Sequence, residues 1–88
     1  MTELKNLEAE ADFSKVLDRV LTEAWISPYR LAAIASDLVG REVRPQMTYS
    51  YCKSGMIKSS LSTTGKIQVS RVDARNWLTK YVPKHRIG

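Results

Sequence analysis

One cysteine, Cys52, and one histidine, His85, are the only thiol and imidazole in this 88-residue chain. A lone thiol excludes an internal disulfide. A zinc site would have to recruit several carboxylates, and no spacing in the chain suggests one. Disulfide scaffolds and zinc modules are therefore ruled out. No run approaches the ~18 apolar residues that a membrane-spanning helix requires, and the N-terminus lacks the basic-then-apolar order of a signal peptide. These two absences lead us to expect a cytoplasmic protein with no membrane partner. Catalytic constellations are missing too: there are no paired carboxylates, no activated serine and no phosphate-binding loop. We expect no enzymatic activity, no cofactor and no metal.

Acidic residues are also scarce beyond residue 24, where only Asp37, Glu42 and Asp73 stand against eleven Lys and Arg, a net charge of +8. Residues 1–24 carry the opposite balance, −3, from Glu3, Glu8, Glu10, Asp12, Asp18 and Glu23 against Lys5, Lys15 and Arg19. A polyanionic partner for the C-terminal three-quarters is the direct reading of that asymmetry. At 43% hydrophobic and 26% charged, the chain has the composition of a folding domain. Its length allows one core, burying only about 60–65% of the unfolded surface.

The first eleven residues are polar and acidic, and either fray or extend the helix that follows. Asp12 is a candidate N-cap. Phe13, Val16, Leu17, Val20, Leu21 and Ala24 then keep the three–four spacing of one helix face, predicting a helix over 12–25. Ser27-Pro28 is a cap followed by a first-turn proline, and Leu31, Ile34, Ala35 and Leu38 fall at i, i+3, i+4 and i+7 before Gly40, predicting a helix over 28–39. Pro45 opens a third helix that stops at Gly55. Its inward stripe is either Thr48, Tyr51 and Cys52 or Met47 with Tyr51. Period-two alternation on both sides of Ser62-Thr63-Thr64-Gly65 predicts a hairpin over 57–69. Ser70 with Asp73 matches a capping box for a helix over 71–82, with Trp77 and Tyr81 as core residues and Pro83 as its stop. Residues 83–88 read as a basic tail holding His85.

The fold class is thus mainly α with a small β-hairpin. Leu31-Ala32-Ala33-Ile34-Ala35, then Tyr49-Ser50-Tyr51-Cys52-Lys53-Ser54-Gly55, Met56-Ile57, and Val72-Asp73-Ala74-Arg75-Asn76-Trp77-Leu78 together resemble the excisionase and MerR-type winged helix-turn-helix family, over Ser27 to Val82. The N-terminal helix is additional to that module. The resemblance implies a winged helix-turn-helix over 12–82 that binds double-stranded DNA without catalysis, as a transcription regulator or a recombination factor.

On that reading the 45–54 helix enters the major groove and the hairpin is the wing. Arg44 and Gln46, at the start of the helix, are candidates for base or phosphate contact, and Tyr49, Ser50 and Lys53 lie further along it. Tyr29 and Arg30 stand where a helix N-terminus meets phosphate. Lys58, Thr63, Thr64 and Lys66 are the wing candidates. Arg71 and Arg75 either flank the wing or form a solvated face, and Cys52 reads as a packed, unreactive thiol. The apolar stripe of the first helix either caps the core or also pairs two protomers. The alternatives are a terminase-small-subunit-like DNA-packaging domain and a protein-interaction module on the same scaffold.

Overall fold

The computed structural model describes residues 13–85. The acidic segment 1–11, the Asp12 cap and residues 86–88 of the basic tail lie outside the described residues.

The backbone is helical over 13–20 (α1). It is followed by β1 (Trp25–Ile26), α2 (Pro28–Val39), α3 (Pro45–Ser54), β2 (Ser60–Leu61), β3 (Ile67–Ser70) and α4 (Arg71–His85). The molecule is mainly helical, with one small antiparallel sheet in the order β1-β3-β2. Trp25 pairs with Ser70 and Ile26 with Val69, while Ser60 pairs with Gln68 and Leu61 with Ile67. Among the described residues no helix is long and apolar enough to cross a membrane.

The boundaries of α2 and α3 follow their expected signals. The Ser27 hydroxyl accepts from the Arg30 amide at 3.1 Å, satisfying one of the free donors of the first turn of α2. Gly40 ends that helix at φ +80°, a conformation that other residues rarely adopt, and donates to the Ser36 carbonyl. Pro45 starts α3, and Gly55 closes it at φ +86°. At the head of α4 the Asp73 amide donates to Ser70 Oγ, and the Ser70 hydroxyl donates to the Asp73 carboxylate at 2.8 Å.

Leu17, Leu21, Ile26, Leu31, Ala35, Val39, Ile57, Val69, Leu78 and Val82 are all almost fully buried and form one core beneath α2 and α4. Leu17 of α1 and Leu21 just beyond it enter that core, whereas Val16 and Ala24 face outward. Tyr51, Trp77, Tyr81 and His85 form an aromatic column, with ring centroids 6.2, 4.6 and 3.9 Å apart in turn.

Three boundaries depart from expectation. The first helix does not reach residue 25. The Ala24 carbonyl accepts from the Arg71 amide, and the next two residues pair with β3, so the backbone there is committed to the sheet. The hairpin does not begin at 57. The Ile57 amide donates to the Tyr51 carbonyl and closes the end of α3, leaving strand pairing to start at Ser60. Nor does α4 stop at Pro83. A proline so near the end forfeits one backbone bond, while fully buried Val82 and the stacking of His85 on Tyr81 hold the last turn. His85 is accordingly not a tail residue: its Nδ1 lies 2.9 Å from the Tyr81 carbonyl oxygen.

Candidate nucleic-acid interface

The helix α3 divides cleanly. Thr48 and Cys52, four apart, are buried, and Met47 and Tyr51 are half-buried beside them, so both candidate stripes contribute to its inner side. Gln46, Tyr49, Ser50 and Lys53 are exposed on the other side. What fixes this orientation is the Thr48 hydroxyl, which lies 2.8 Å from the Pro28 carbonyl in the first turn of α2 and 2.9 Å from the Pro45 carbonyl. The α2–α3 link is fixed in the same way. The Ser36 hydroxyl donates to the Ala32 carbonyl at 2.8 Å and accepts from the Val43 amide at 2.7 Å, while the Val43 side chain is buried.

The outward residues of α3 share a concave surface with the start of α2. An open depression is lined by Tyr29, Pro45, Gln46, Tyr49, Ser50 and Lys53. Five of the sequence candidates therefore come together in one place. Tyr29 is 70% exposed, and the Lys53 ammonium lies 4.7 Å from the centre of the Tyr49 ring. This cation–π contact holds the charge at the rim of the depression. An amide, two phenols, a hydroxyl and an ammonium facing one hollow can donate to phosphate oxygens and to base edges. Arg44 occupies the N-cap of α3 without a side-chain capping bond, and Arg30 lies in the first turn of α2. Both are exposed and stand outside the lining of the hollow.

The hairpin candidates divide into two groups. Thr63 and Thr64 are exposed in the turn, where Ser62 Oγ lies 3.0 Å from Thr64 Oγ1 and accepts from the Lys66 amide. Lys66 follows Gly65, which turns the chain at φ +81°. Lys58 is not at the tip. It lines a separate depression with Met56, Asp73, Asn76, Trp77 and Lys80 against α4, because β2 starts only at Ser60.

Arg75 neither flanks the wing nor forms a free solvated face. Its guanidinium bonds Asp18 and Ser14 of α1. That is the only ion pair among the described residues, so Lys53, Lys58 and Lys66 make none there.

Cys52 is buried, and burial pushes its thiol above the ordinary value, with a hydrogen bond involving Ser59 pulling weakly the other way. A thiol with that environment is a poor nucleophile. Among the described residues no three of His, Cys, Asp and Glu come close enough to hold a metal ion.

Sequence reasoning missed Trp25, which the helical spacing placed at the end of the first helix. The structure puts it on β1, half-exposed, in a depression shared with Lys66. The only local hint was the Trp25-Ile26 pair of strand-forming residues just before the Ser27 cap.

Comparison of the chain with known protein families, with curated proteins and with solved structures gives no match.

Proposed function

We propose that this chain is a small, non-catalytic, sequence-specific double-stranded-DNA-binding protein of the winged helix-turn-helix type, acting in transcription regulation or as an excisionase-like recombination factor. One observation carries the reading. Tyr29 of α2 and Gln46, Tyr49, Ser50 and Lys53 of α3 converge on one hollow, and the opposite side of α3 is locked to α2. Ten residues of α3 span about 15 Å, a length that suits a major groove ~12 Å wide. The succession of helices, hairpin and final helix is the order of a winged helix-turn-helix, with the α2–α3 pair as its helix-turn-helix and the β2–β3 turn as its wing. The +8 charge beyond residue 24 supports the same partner.

The test is salt titration of affinity for a duplex. Neutralised phosphates release counterions, so affinity should fall linearly with salt on a log–log plot. Lys53→Ala should lower that slope by about one, and Gln46→Ala should relax preference at one base pair. No affinity for a duplex at low salt would overturn the reading. The second reading, a protein-interaction module on the same scaffold, draws on Met56, Leu61 and Val72, which are each about two-thirds or more exposed. It would then take precedence.

A further inference from the structure

Residues at the α2 N-terminus line two separate hollows. Tyr29 lines the one that faces α3, while Ser27, two residues earlier, lines another together with Glu23, Trp25, Ser62, Lys66 and Gln68. Pro28, the buried residue between Ser27 and Tyr29 in the chain, is tied through its carbonyl to Thr48 of α3. The second hollow pairs a large aromatic face with an ammonium and an amide as donors. Trp25 is 50% exposed on a two-residue strand whose other member, Ile26, is fully buried. The alternation of the strand therefore turns the indole away from the core. Lys66 makes no ion pair among the described residues.

We infer that Trp25, with Lys66 and Gln68, is a second DNA contact, one that takes the sugar–phosphate backbone beside the segment met by α3. The inference rests on the DNA reading above. An indole suits this ligand because its ring can cover the apolar face of a deoxyribose while its N–H donates to a phosphate oxygen. Lys66 supplies the charge and the Gln68 amide a further donor. Ser62 contributes little, since its hydroxyl oxygen is already engaged with Thr64 and the Lys66 amide. Glu23 lines the same hollow, so its carboxylate repels phosphate at that end and confines the backbone to the Lys66 side. A contact of this kind positions the protein and carries no sequence information.

The two tryptophans make the test direct. Their indole N–H resonances in the full chain are told apart by Trp25→Phe, a substitution at an exposed strand position. The probe is a mixed-sequence duplex of about 20 base pairs at low salt. We expect the Trp25 indole and the amides of Gln46 and Tyr49 to shift together, with the half-buried Trp77 unmoved. Trp25→Thr, which keeps a strand-forming residue and removes the ring, should weaken binding about five- to tenfold for every duplex alike. Glu23→Gln should strengthen it about two- to threefold, an effect that fades with added salt. If the duplex shifts the α3 amides and leaves the Trp25 indole in place, or if Trp25→Thr binds as the parent does, the second contact is overturned and the DNA reading survives. If nothing shifts, the DNA reading fails, and the second contact fails with it.

Discussion

The Thr48 hydroxyl reaches the Pro28 carbonyl oxygen at 2.8 Å from a side chain with no solvent exposure. Among the described residues it is buried in a core whose other members are apolar apart from the Cys52 thiol and the Tyr81 phenol, and it joins the middle of the exposed-faced helix to the first turn of its neighbour. Thr48→Val keeps the volume and leaves the buried carbonyl without that donor, which should cost about 1–3 kcal/mol. Urea unfolding measures the loss. Thr48→Ser should retain more of the stability if the hydroxyl is what matters.

Ser36 does for the α2–α3 link what Thr48 does for the helices. Ser36→Ala removes the acceptor of the Val43 amide, and we expect a loss of about 1–2 kcal/mol. Amide hydrogen exchange should show faster exchange at Val43 than in the parent, while exchange in α4 changes little.

Alkaline pH should destabilise the fold. Burial raises the Cys52 thiol above its ordinary value of 9.0. Burial, followed by the neighbouring Tyr51 phenol, raises Tyr81 above 10.0, against a smaller lowering by Arg41. Both groups keep their protons longer folded than unfolded. Their contribution is therefore intact below the unfolded values and is lost as pH rises through the folded ones. Urea midpoints should hold steady near neutrality and fall above about pH 9. Cys52→Ala should be less stable at neutral pH for lack of packing, yet lose less between about pH 8.5 and 10.

The Arg75–Asp18 pair should matter little to stability. Its side chains are 34% and 67% exposed, so water and salt screen the attraction. A double-mutant cycle with Arg75→Ala and Asp18→Asn should give a coupling of about 0.2–1 kcal/mol, smaller still in about 1 M salt. A coupling well above that range would show that the contact is sheltered.

Most of the fold is legible where chemistry is local. Ser27-Pro28, Gly40, Pro45, Gly55 and the Ser70–Asp73 box act within a few residues of themselves, and the elements they bound fall where those residues place them. The hollow is legible for a related reason: Gln46, Tyr49, Ser50 and Lys53 share one side of a short helix by spacing alone. What local pattern cannot carry is distant partnership. Trp25 is the last residue of the helix expected over 12–25, and only pairing with Ser70 makes it a strand. Arg75 looks unattached until Asp18, 57 residues earlier, comes beside it. Lys58 looks like part of a wing until the Ile57 amide is spent on the end of α3. Pro83 signals a stop that the buried Val82 and the His85 stack outweigh.

The pairing of β1 with β3 has a consequence for how the molecule assembles. Joining Ile26 to Val69 encircles both central helices and the first arm of the hairpin in a single large ring of chain. The entropy lost in closing such a ring grows only logarithmically with its length, so its size is thermodynamically tolerable. Kinetically it is a non-local event, slow beside the formation of a helix pair. A fragment running from 28 to 66 would keep the helix pair and lose this clasp, together with every contact that α1 and α4 make.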